Sequence, residues 1–195
     1  MSRLGVRSRL RRRVGLFVLV IALAVLSALD HAGVFGYRGG DRMRYDGAIA
    51  TVTRVVDGDT LDVDLPDGHR AVTRIRLRGI DCPEIAHGPD GQDDPYGPEA
   101  AESALILVLD KRVRIALDPT RETRDRYGRL LAYVYLADTD ESLNERLLEE
   151  GLARANRRFS HVFSFRFGNI EKRAKRNGEG FWGDRSVKAM PSSRP

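Results

Sequence analysis

With a single cysteine, Cys82, the 195-residue chain can form no intramolecular disulfide and no zinc site built from several thiolates. Its four histidines, His31, His69, His87 and His161, show no metal-ligand spacing, and neither a Ser-His-Asp set nor a GxxxxGK[ST] phosphate loop is visible. These absences leave carboxylates and arginines to carry any chemistry. The chain also lacks the general basic character that its formal charge of +5 suggests. Residues 1–13 hold six arginines and no acid, so the remaining 182 residues have 27 Lys and Arg against 28 Asp and Glu. A polyanionic partner would have to be held by particular arginines rather than by net charge.

The basic leader 1–13 runs into an uncharged apolar stretch, residues 14–29, "VGLFVLVIALAVLSAL". As a helix, at about 1.5 Å per residue, it would reach roughly 24 Å against a hydrocarbon core of about 30 Å, between a signal segment and a full span. Small-x-small patterns fall only inside the run, as at Ala22-Leu-Ala24, which favours an uncleaved membrane anchor over a processed signal. Arginines before the run hold that end in the cytoplasm and send the rest across. The expectation is an extracytoplasmic protein, membrane-anchored by its N-terminal segment, or secreted if that segment is cleaved. Residues 30–47, Gly- and Arg-rich without periodicity, read as a linker. A domain over 48–185 and a tail over 186–195 follow.

Within the domain, "AIATVTRVV", "TLDVDL" and "RAVTRIRLRGI" alternate β-branched and polar residues, and "PDGH" at 66–69 supplies a turn, so three sequential antiparallel strands are expected. "YGPEAAESALILVLD" changes period: Pro98 suits the first helical position, and Ala101, Ala104, Leu105 and Val108 form an apolar stripe. "KRVRIAL" and "GRLLAYVYL" read as two more strands. Ser142 and Glu145 have capping-box spacing ahead of Leu143, Leu147 and Leu148. A third helical stripe takes in Val162, Phe163, Phe167, Ile170 and Ala174. The fold class is therefore α+β: five short strands, suggesting a small barrel, with three helices.

Two acidic turns stand at strand ends. "VDGDT" (56–60) is by itself either an ordinary turn or half of a metal site. "IDCPE" (80–84) leaves its strand in a geometry restricted by Pro83. Asp59 and Asp81, with a backbone carbonyl, are enough oxygen donors for a hard cation that shares its sphere with substrate and water. An EF-hand does not fit "DGDTLDVDLPDG", because Leu61 holds the fifth loop position, Asp62 the glycine position and Gly68 the closing Glu position. Arg74, Arg76 and Arg78 alternate along one strand face, and Arg129 opens another strand; paired guanidiniums can clamp a phosphate.

In order and spacing, "VDGDT", "RIRLRGIDCPE", "YGPEA", "RDRYGRLLAYVY", "LNERLLEEGLA" and the late "GFW" resemble the staphylococcal nuclease, or thermonuclease-like, family over residues 48–183. That resemblance implies a five-stranded OB-type β-barrel with three helices and calcium-dependent hydrolysis of phosphodiester bonds in DNA and RNA. It implies Ca²⁺ ligands at Asp59, Asp81 and the backbone carbonyl of Cys82. It selects Arg76, five positions before Asp81, and Arg129 as the phosphate-binding arginines, and Glu84 as the general base. Tyr127 would contact a substrate phosphate. The sequence departs from the family where two tyrosines lie near the nucleotide: here stand Arg157, which adds charge, and Phe159, which can stack on a base. The partner implied is a nucleic acid, with membrane contact through the N-terminal segment and no obligate protein partner. Two other readings stay open: a non-catalytic OB-fold module binding nucleic acid or protein, and an anchored surface domain whose acidic turns only bind calcium.

Overall fold

A computed structural model describes residues 17–26, 39–86 and 92–184. The leader 1–13, the tail 186–195, the ends of the apolar run 14–29 and the first half of the expected linker lie outside the described residues. Residues 17–26 form a helix, α1, with exposed side chains. No helix among the described residues is long and apolar enough to cross a membrane. A short helix, α2, spans Gly39–Tyr45. The chain joins the folded domain slightly before the Ala48 expected from sequence: Tyr45 is buried, its hydroxyl donates to Pro66 O, and Asp46 accepts from Leu117 N.

The barrel is built from β1 (Ile49–Asp57), β2 (Thr60–Val63), β3 (Thr73–Leu77), β5 (Arg112–Leu117) and β6 (Leu130–Leu136), closed in the order β1-β2-β3-β6-β5. The β1-β2-β3 meander is antiparallel, as the sequence pattern predicts. Closure depends on a parallel pairing, β3 with β6, which sets Arg76 beside Leu131. Inward residues alternate along each strand: Thr73, Ile75 and Leu77 are buried on β3 while Arg74 and Arg76 face outward. Val52, Leu61, Val113, Ile115, Leu130 and Val134 fill the interior with them.

The stretch expected as one strand over 70–80 divides. Gly79, at φ +82°, turns the chain out of β3 into a two-residue strand, β4 (Ile80–Asp81), which pairs with β7 (Arg154–Ala155). A side chain at Gly79 would also collide with the His161 ring, 2.4 Å from a built Cβ. This small second sheet has no signal in the sequence, because strands of two residues carry no periodicity.

Helix α3 (Gly97–Val108) starts at Gly97, one residue before the Pro98 expected at its first position, and its buried stripe is Gly97, Ala100, Ala104 and Val108. Leu105 is 44% exposed, so the predicted stripe was rotated by about one position. Small residues face the barrel because the helix lies close against it. Helix α4 (Leu143–Glu149) is capped by Ser142, whose Oγ accepts from Glu145 N, and buries Leu143, Leu147 and Leu148. Buried Asn144 accepts from Val134 N and donates to Arg78 O, binding α4 to the barrel. Helix α5 (Ser164–Asn177) buries Phe167, Ile170 and Ala174 of the predicted stripe, while Val162 is exposed ahead of the helix and Phe163 is its cap, and it ends at a left-handed Gly178 before a 3₁₀ turn, Gly180–Trp182.

Candidate active site

The "VDGDT" segment is the tight β1–β2 hairpin: Asp57 pairs with Thr60, and β1 carries a register shift just before the turn. Asp57 Oδ1 accepts from Asp59 N at 3.0 Å and fixes the turn. Gly58 is required by packing, since a Cβ there would lie 2.8 Å from Ala100 Cβ and 2.9 Å from Cys82 Cβ. This close approach places the hairpin, α3 and the end of β4 against one another. Asp59, only 2% exposed, is directed inward. Its Oδ2 accepts from Cys82 N at 2.8 Å, its Oδ1 accepts from Thr60 Oγ1 at 3.2 Å, and the same oxygen is ion-paired with Arg76 Nη1.

Arg76 joins the two acidic turns. Its Nη2 donates to Asp81 Oδ1 at 2.7 Å, so the Asp59 and Asp81 carboxylates converge on one guanidinium. Arg74 and Arg78, read from sequence as equivalent to it, are not. Arg74 is bound to Asp62 through two hydrogen bonds, and Arg78 is buried, donating to Glu122 O. Cys82 is partly buried, and burial pushes its thiol pKa up. Glu84 is held by its backbone: its carbonyl accepts from Asp94 N at 2.9 Å, and its N–H donates to Asp94 Oδ2. Its carboxylate is exposed and makes no hydrogen bond or ion pair among the described residues.

A cleft of about 590 Å³ runs past these groups. Arg76, Asp81, Cys82, Glu84, Tyr127, Arg129 and Phe159 all line it; Asp59 does not, being buried behind Arg76 and Cys82. Arg129, just before β6, donates from Nε to Asp125 Oδ2 at 2.6 Å and reaches Thr60 Oγ1 at 3.5 Å. Tyr127 is 65% exposed and accepts from Arg126, so it is not a packed strand-end aromatic. Phe159 is 55% exposed, with the Arg158 guanidinium 5.4 Å from its ring centre.

A buried network stands behind the cleft. Tyr133 donates to Asp118 Oδ2 at 3.1 Å and meets His161 Nδ1 at 2.9 Å. Because ionised Asp118 can only accept, the single Tyr133 proton goes to it, and His161 Nδ1 must be the donor to Tyr133. Burial favours the neutral acid at Asp118, yet donors from Val162 N, Thr120 N and Oγ1, and Tyr133 outweigh it and hold the pKa at about 2. Burial lowers the His161 pKa. None of these three residues was singled out from sequence, where each stands alone in a different element.

The family description "Staphylococcal nuclease homologue" matches residues 74–184. The thermonuclease of Staphylococcus hyicus is 35% identical over 174 residues, covering 86% of this chain and 95% of that protein. The chain belongs to the staphylococcal nuclease family. The thermonuclease of Staphylococcus intermedius is 40% identical over 147 residues, 72% of this chain and 79% of the relative. The micrococcal nuclease of Shigella flexneri is 32% identical over 140 residues, with coverage of 68% and 72%. At the position where the sequence departs most from the nuclease family, the structure corrects one expectation. Arg157 does not line the cleft; its Nη2 donates to buried Glu171 Oε2 at 2.8 Å, and Arg158 lies beside Phe159 instead. Asn156, which sequence reading passed over, donates to Asp81 Oδ2 at 2.8 Å.

Proposed function

We propose that the protein is a calcium-dependent endonuclease hydrolysing phosphodiester bonds of DNA, RNA or both. The observation that carries this reading is the convergence of Asp59 and Asp81 on Arg76, in a cleft that Arg129 and the exposed Glu84 carboxylate also line. The relatives named thermonuclease and micrococcal nuclease support nucleic acid as the substrate class.

The donor set fits calcium. Asp59, Asp81 and the Cys82 carbonyl offer oxygen donors, the ligand type a hard cation takes. The two carboxylates that share the Arg76 charge could instead take a cation between them. Bound there, Ca²⁺ would supply positive charge for the phosphoryl oxygens and a polarised water. Glu84 would orient a water and take its proton, for which an exposed carboxylate with no ion pair among the described residues is suited. Arg76 and Arg129 hold the phosphate through planar N–H pairs and stabilise its developing charge. Tyr127 can donate to a phosphate oxygen, and Phe159 offers a face for a base.

Purified protein should cleave labelled single-stranded DNA with Ca²⁺, stop when calcium is chelated, and resume when it is restored. Undiminished cleavage under thorough chelation refutes the calcium assignment; tight binding with no cleavage in either condition makes the protein a binding module. The arginine-rich leader and apolar run further support an extracytoplasmic protein anchored by its N-terminal segment. A tagged full-length chain should then fractionate with membranes and be digested by protease added outside the cytoplasmic membrane, whereas recovery in the cytosol refutes that placement.

A further inference from the structure

Asn156 follows β7 directly, and its backbone N–H donates to Gly79 O at 2.9 Å, extending the β4–β7 pairing by one bond. Its side chain faces two ways. Nδ2 donates to Asp81 Oδ2 at 2.8 Å, while Oδ1 accepts from Arg158 N at 2.9 Å and from Phe159 N at 3.4 Å. A turn-forming Asn needs only the second set. The bond to Asp81, 75 positions away, is additional, and it takes the carboxylate oxygen that Arg76 leaves free. A reversed amide would set oxygen against carboxylate and NH₂ against N–H, so the network admits one orientation. Aspartate has no donor for Asp81, and a residue without a side-chain oxygen has no acceptor for the turn.

We propose that Asn156 is a positioning residue that couples the cation-binding carboxylate to the base-facing wall of the cleft, fixing Asp81 and the Arg158–Phe159 turn with one amide. The inference rests on the nuclease reading for the roles of Asp81 and Phe159. With Asp81 Oδ2 occupied by the amide, Oδ1 is the oxygen presented to Arg76 or to a cation. The same amide sets the direction in which Phe159 leaves the chain. Ordering one side therefore orders the other, and metal binding and base stacking support each other.

The test uses the full protein carrying Asn156→Ala, with Asn156→Ser as a milder second variant; the side chain is only partly buried, so both should fold. Calcium affinity is measured by calorimetry without nucleic acid. Affinity for a fluorescent single-stranded oligonucleotide is measured separately by anisotropy in chelator, where no cleavage occurs. Loss of an outer partner of a metal ligand should raise the calcium Kd about tenfold. The oligonucleotide Kd should rise about threefold, a part of one base-stacking contact. In the background of Phe159→Ala, the Asn156 substitution should have little further effect on oligonucleotide binding. A merely structural role would lower the unfolding midpoint and leave both affinities of the folded protein within twofold, which would overturn the proposal. An additive loss with Phe159→Ala would overturn it as well. If the unsubstituted protein binds calcium but cleaves nothing, the nuclease reading fails while both affinities still decide the role of Asn156. If it binds no calcium, both fail.

Discussion

Replacing Arg76 with Met should destabilise the protein far more in chelator than in calcium. The Arg76 guanidinium is the shared counter-charge of Asp59 and Asp81, and Asp59 is almost wholly buried. Removing one partner of a buried ion pair costs about 3–5 kcal/mol when the remaining charge has no other support. Here Asp59 keeps the Cys82 N–H and the Thr60 hydroxyl, and Asp81 keeps Asn156, so a cost of about 2–3 kcal/mol is expected. A cation entering the site restores positive charge between the same carboxylates. At a free concentration 100 times its Kd, it adds about 2.7 kcal/mol of stability. In the unsubstituted protein part of that gain is offset, because the cation must draw the carboxylates away from Arg76. The variant has no such competitor and should bind calcium more tightly.

Urea unfolding followed by tryptophan fluorescence, with chelator and then with saturating Ca²⁺, measures both quantities. The deficit of Arg76→Met should shrink from about 2–3 kcal/mol to under about 1 kcal/mol when calcium is added. Activity should stay at least about a hundredfold low in calcium, since the phosphate clamp is gone. Equal deficits in the two conditions would refute the idea that guanidinium and cation share one pair of carboxylates.

Glu84→Gln should lower kcat by a hundredfold or more with little change in KM, as for a proton acceptor used only in the transition state; a raised KM with unchanged kcat would make Glu84 a binding residue. Arg76→Lys and Arg129→Lys should each reduce kcat/KM strongly, and together by less than the product, if both guanidiniums meet one phosphate. Arg74→Lys should leave kinetics unchanged, since Arg74 is bound to Asp62, whereas Arg78→Lys should cost stability, since Arg78 is buried at the Glu122 carbonyl; steady-state assays and urea curves on the four variants test the ranking. With a pKa of about 2 in the fold against about 3.9 unfolded, Asp118 contributes stability present above pH 4 and lost as pH falls toward 2. The loss is about 2 kcal/mol, and Asp118→Asn should flatten that part of the urea-measured profile. His161, with its pKa lowered, adds a decline that begins as pH drops below about 6.5 and should vanish in His161→Phe.

The sequence by itself determined the barrel's five strands, its three main helices and the two acidic turns, because alternation, capping and glycine turns are local properties. "VDGDT" by itself could be read as a turn or as half of a metal site, and only the resemblance to the nuclease family favoured the second. Helix orientation was legible only to within one position. Leu105 and Ala100 both fit a helical stripe, and the close approach of α3 to Gly58 and Cys82 decided for the smaller residue. Three alternating arginines looked alike in the strand, and only packing distinguished them: Asp62 binds Arg74, the two acidic turns bind Arg76, and the Glu122 carbonyl buries Arg78. Arg157 looked like a cleft residue until Glu171, on α5, took its guanidinium. The parallel β3–β6 pairing and the two-residue β4–β7 sheet bring Arg129 to Thr60, beside Asp59, and Asn156 to Asp81. Those pairings join segments 55 to 75 positions apart, and contacts at such separation are set by the competition of whole surfaces for burial, which no short stretch of sequence encodes.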